Sequence, residues 1–150
     1  MIQYSSTTKL SASAARKIQE EIGAIRRDWW RGAIGFDVEE SGQPQVLSGS
    51  TALFHKSDIP DEVDLFMAFA DASFIAQILA RWAKRFKVKW HVRMNDEDWG
   101  SIDPTGLSRP LRDQMEKWSR RARVLSEGKG KWPIDEARRA ELLRRHAGRH

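Results

Sequence analysis

The sequence predicts an α+β domain: a mostly antiparallel sheet of four to five strands with helices packed on one face, in the order α-β-β-β-α-β(-β)-α-α. Three observations carry this. Apolar residues switch along the chain between the helical period of 3.6 and the strand period of 2. Strands run together before a helix intervenes, and regular βαβ alternation is missing. With 150 residues and 31% charged, the chain fits one domain, whose portion 107–150 reads as two basic helices.

Residues 9–31 read as a helix because Ile18, Ile22, Ile25 and Trp29 recur at spacings of four, three and four, with Ser11 or Ser13 as cap and Gly32 as stop. Then Ile34, Phe36 and Val38 alternate with polar neighbours as a strand, and Ser41, Gly42, Gln43 and Pro44 supply turn chemistry. A Ser/Thr-rich strand follows over 45–54, where Gly49 suggests a bulge. Residues 55–62 read as a loop. Residues 63–70 are apolar at nearly every position, the pattern of a strand buried on both faces.

Asp71 or Ser73 is then expected to cap a second helix with seam Ile75, Ile78, Leu79, Trp82 and Phe86. The strand over 87–94 alternates most cleanly, with Val88, Trp90, Val92 and Met94 inward and Lys87, Lys89, His91 and Arg93 outward. An acidic turn occupies 95–98, and 99–102 forms a short returning strand. Ser108 and Pro110 open a third helix on the seam Leu111, Met115, Trp118, Ala122 and Leu125, closed by Glu127 and Gly128. After the connection 128–131, Pro133 opens a last helix to about Ala147.

Composition excludes several classes. Without cysteine there are no disulfides, thiolate zinc sites or cysteine nucleophiles, and a reducing, cytoplasmic setting is expected. No secretory leader is read at the N-terminus. The apolar run near 72–80 is broken by Gln77 and falls short of the roughly 20 residues of a membrane span, so no membrane partner is expected. No Gly-rich turn leads from strand to helix, and GxSxG is absent, so no nucleotide cofactor or serine hydrolase is indicated. Asp96, Glu97 and Asp98 fail as a calcium loop, because Ser101 and Leu107 stand where Gly and Glu belong. His146 and His150 sit one helical turn apart without an HExxH context, so no metal is assigned.

The net charge of +5 is lopsided: +1 over 1–56, −3 over 57–108 and +7 over 109–150. On the third helix, Arg109, Arg112, Arg120 and Arg123 step by three and four opposite the apolar seam, beside Lys117 and Arg121. Arginine forks suit carboxylates and phosphates. The bland reading is a solvated helix face. The row Lys87, Lys89, His91 and Arg93, spaced about 7 Å apart, could receive an anion or protect a sheet edge. Of the seven tryptophans, Trp29, Trp82, Trp90 and Trp118 lie on apolar seams, whereas Trp30, Trp99 and Trp132 do not and are candidate anchors.

The expectation is therefore a non-enzymatic macromolecule-binding module with a basic Arg/Trp surface formed by Arg109, Arg112, Arg120, Arg123, Trp99, Trp132, Lys89, His91 and Arg93. A protein partner is favoured, and at the level of class the chain is similar in kind to immunity- and inhibitor-type modules. The alternative is nucleic-acid binding through the arginine stripe on phosphates. A third reading, a small nuclease or toxin using His55, His91, Arg93 and Asp64, needs those groups to converge.

Overall fold

Ile2 and Tyr4 alternate with Gln3 and Ser5, and this short period-two run is a central strand of the sheet. In the computed structural model, which describes residues 1–28, 37–40, 42, 45–55, 57–58 and 61–126, the elements are β1 (Ile2–Ser6), α1 (Ala12–Asp28), β2 (Glu39–Glu40), β3 (Leu47–Thr51), α2 (Asp61–Phe86), β4 (Trp90–Met94), β5 (Glu97–Asp103), β6 (Gly106–Leu107) and α3 (Arg109–Ser126). The six strands form one antiparallel sheet in the order β2-β3-β1-β4-β5-β6. The α+β class stands; the strand count and element order change. Strands β1 and β6 are additional to those expected from the sequence, and β1 precedes the helix expected first.

Sheet register explains the two faces. Ile2, Tyr4 and Ser6 pair with Met94, Val92 and Trp90, and Trp90 pairs with Ile102. All seven are buried, together with Leu47 and Thr51. Ile18 and Ile22 of α1, Ile75, Leu79 and Trp82 of α2 and Leu111 of α3 join this layer in one core, so the described helices cover one face. Residues of opposite parity, Gln3, Ser5, Ser48, His91 and Arg93, stay half-buried or exposed on the other.

The main correction concerns 63–70. No strand forms there, because 61–86 is one helix of 26 residues without an interior Gly or Pro. Met67, Asp71, Ile75, Ile78 and Trp82 are buried at spacings of four, four, three and four, the stripe of a helix. The run looks two-sided because α2 meets the sheet on one side and α3 on the other, where Phe69 and Trp118 lie 5.6 Å apart. By length and composition, residues Asp64–Phe86 match a membrane-crossing helix, with a mean hydropathy of 1.3. Here that apolarity is spent on the sheet and on α3.

Asp71 is therefore no cap. It is 1% exposed in mid-helix, and its Oδ2 accepts the Phe54 backbone N–H at 2.7 Å, fastening the segment after β3 to α2. Ser11 does cap α1, accepting from the Ala14 N–H at 3.1 Å. Lys87, with φ 55°, ends α2 rather than starting a strand. The Val88 N–H returns to the Ala83 carbonyl at 3.2 Å, a left-handed helix stop. Asn95 and Asp96, both at positive φ, make the two-residue hairpin turn that leaves Glu97 and Asp98 already in β5. Gly49 sits in regular register opposite Tyr4, and the bulge falls instead between β4 and β5.

The β5–β6 turn is held by Asp103, whose Oδ1 accepts from the Thr105 hydroxyl at 2.5 Å and the Thr105 N–H at 2.8 Å. These bonds, the hydroxyl foremost, hold the exposed carboxyl below its ordinary value. Because the folded value is lowered, its contribution is present above the unfolded carboxylate pKa and fades as pH falls through the folded one. Thr105→Val is expected to raise the Asp103 midpoint in an NMR pH titration; an unmoved midpoint contradicts the assignment.

The strand segment at 34–36, most of the turn at 41–44, Trp29, Trp30, Gly32, the connection 128–131, the last helix, His146 and His150 lie outside the described residues.

Candidate functional site

Trp99 is the extra residue of the bulge: Val92 pairs with Gly100 and Arg93 with Asp98, leaving it without a partner across the ladder. Bulges re-aim side chains, and Trp99 packs edge-on against Trp118 of α3, with centroids 6.2 Å apart at 80°. Next to it Gly100 has φ 126°, and a Cβ there would stand 2.4 Å from the Ser108 Oγ. The bare backbone lets the start of α3 approach β5, where the Ser101 N–H donates to that hydroxyl at 3.0 Å.

Between α2, α3 and the β4–β5 hairpin this packing leaves a cavity of about 710 Å3. Its floor is Leu53, Leu65, Ala68, Met94 and the two indoles, and its rim carries Lys117, Arg120 and Arg121. Among the described lining residues there are three cations and no carboxylate. Trp118 is fixed by its indole N–H, which donates to the Leu65 carbonyl at 3.3 Å. Arg120 is exposed and pairs with Glu116, one turn back on α3, at 3.3 Å. Such exposed pairs stabilise little, so Arg120 can exchange Glu116 for another carboxylate.

The structure divides the anticipated surface. Trp99 and Arg120 come together at this cavity. Arg109 and Arg112 do not line it; both are exposed in the first turn of α3, about 12 Å along the axis from Arg120 at the nearer one, Arg112. Arg112 donates to the Leu107 carbonyl at 3.1 Å. Arg123's side chain and Trp132 lie outside the described residues. Lys89, His91 and Arg93 project from the opposite, open face of the sheet.

Their strand, β4, is flanked by β1 and β5, so the edge-protection reading of that row is corrected: this is an interior strand. Two residues of the row face acids on β5 instead. Lys89 acts on Asp103, and His91 Nε2 lies 2.8 Å from Asp98 Oδ1. His55 pairs separately with Asp64 of α2 at 2.9 Å, so the two histidines have different partners on different sides of the sheet. The convergence a histidine-dependent nuclease needs is not formed by these groups.

Sequence reasoning placed Trp118 in the core, but it is partly buried and shared between core and cavity. Leu53 and Leu65 were also missed. Their one legible signal is apolar character within the strands expected over 45–54 and 63–70. Among the described residues no group of three or more His, Asp or Glu side chains could hold a metal ion. Comparison of the chain with protein-family models, curated proteins and solved structures finds no match.

Proposed function

We propose that the chain is a non-enzymatic binding module that docks an acidic segment of a protein partner, seating one apolar side chain in the α2–α3 cavity. The observation that carries this reading is an aliphatic and indole floor ringed by Lys117, Arg120 and Arg121, with no carboxylate among the described lining residues. Burying a Leu- or Phe-sized anchor contributes about 1.5–3 kcal/mol. The cations add specificity and association rate through carboxylates flanking the anchor. Tryptophan and arginine are the residue types in which interface energy concentrates.

The chain's own residues 127–150 are poorly matched to this rim, since they hold seven Lys/Arg and four Asp/Glu. Their own net charge is +3. An aliphatic floor with an edge-on indole pair suits a side chain better than the open aromatic faces on which bases stack.

Fluorescence anisotropy with a labelled peptide of Asp and Glu flanking a single Phe tests the reading. Saturable binding is expected to weaken about 30-fold in Trp99→Ala, the effect of losing an interface hot spot of about 2 kcal/mol. A single-stranded oligonucleotide run in parallel is expected to bind more weakly. Tighter binding of the oligonucleotide, or a Trp99→Ala variant as good as the parent, contradicts the proposal.

A further inference from the structure

The face of the sheet that no described helix covers carries a second depression, of about 620 Å3, remote from the α2–α3 cavity and opposite in character. Its floor is polar. Ser5, Ser48 and Ser50 are outward residues of β1 and β3, in register as Ser5 opposite Ser48 and Gln3 opposite Ser50. None of the three hydroxyls has a hydrogen-bond partner among the described residues. Side chains of opposite charge stand at the two ends. On β4 is Arg93, whose guanidinium donates to the Asp96 carbonyl at 2.8 Å but pairs with no carboxylate among the described residues. On β2 is Glu39, exposed and likewise unpaired among them.

Strand order fixes the separation. From β4 to β2 is three steps, through β1 and β3. Glu39 stands in the row of Ser48, Ser5 and His91, two residues along from the row of Ser50, Gln3 and Arg93. The two ends therefore lie about 16 Å apart on the diagonal at the usual strand spacing and rise. A simple anion meets Arg93 but gains nothing from the far end, where Glu39 and Glu40 repel it. A simple cation meets the reverse.

We infer that this tray binds a short zwitterionic peptide, its terminal carboxylate on Arg93, its ammonium on Glu39, and its amide groups over the serine hydroxyls. Four extended residues span about 13 Å, and the long side chains of Arg93 and Glu39 cover the remainder of the diagonal. The volume lies within the range of small-molecule sites, about 300–1,000 Å3. This inference is independent of the acidic-segment reading, because it uses another face and other residues.

The probe is tetra-alanine with free termini, followed by amide shifts in 1H–15N spectra of the full chain, with the N-acetylated and C-amidated peptides as controls. Shifts are expected at Ser5, Ser48, Ser50, His91 and Arg93, and either cap is expected to weaken binding about tenfold by removing one charge-assisted contact. Glu39→Gln makes acetylation irrelevant and Arg93→Gln makes amidation irrelevant; both positions are exposed, and the spectra report whether the fold is kept. Absence of shifts at the tray, or capped peptides binding as well as the free one, overturns the inference. An acidic peptide in the α2–α3 cavity leaves tetra-alanine binding unchanged, so failure of one site is distinguishable from failure of the other.

Discussion

Trp82→Ala is expected to cost about 3–5 kcal/mol, the range for truncating a large buried aromatic residue. Its side chain is fully buried, and its ring lies 6.1 Å from that of Trp90 at 43°. The indole N–H donates to Glu21 Oε2 at 2.5 Å, and the other oxygen of that carboxylate takes Arg85. One side chain thus joins α1, α2 and β4. Against a typical domain stability of about 5–15 kcal/mol, this loss is a large share of the total. Urea unfolding followed by circular dichroism measures it. Trp82→Phe keeps an aromatic ring but withdraws the donor from Glu21, and a smaller loss is expected. A Trp82→Ala variant within about 1 kcal/mol of the parent contradicts the packing described here.

Gly49→Ala is expected to cost about 3 kcal/mol or more, at or beyond the upper end for inserting one methyl group into a packed site. A Cβ at Gly49 would stand 2.0 Å from the Asp37 carbonyl oxygen and 2.8 Å from Tyr4 Cε2. The first obstacle is backbone and cannot rotate away. Moving it also breaks the bond from the Tyr4 hydroxyl to that oxygen, at 2.8 Å, which ties β1 to the approach to β2. Ser50→Ala, one residue away on the open face, adds no atoms to the core and is expected to lie within about 0.5 kcal/mol of the parent. Equal stability of the two variants contradicts the close approach at Gly49.

The elements that were legible are those whose pattern has one explanation. The alternation ending in Trp90, Val92 and Met94 can only be a half-buried strand, and Leu111, Met115 and Trp118 can only be a helix seam. Residues 63–70 failed because apolarity on all sides describes equally a strand inside a sheet and a helix between two layers. The absence of Gly or Pro up to Phe86 was the better guide. Ile2 and Tyr4 were hidden among serines and threonines, which strands accept when one face is open to water. The sequence singles out Trp99 as an off-seam indole and Arg120 as a cation of the third helix. Their meeting was not, since it depends on a bulge between β4 and β5 and on α3 folding back over that hairpin.

Charge-swap binding tests the central claim most directly. The parent chain and Arg120→Glu/Arg121→Glu are titrated with the labelled acidic peptide and with its counterpart in which every acid is replaced by lysine, the Phe anchor kept. The parent is expected to prefer the acidic peptide and the variant to lose that preference, taking the basic peptide more tightly than the parent does. A parent chain that binds neither peptide, or a variant with unchanged preference, contradicts a docking site built on this rim.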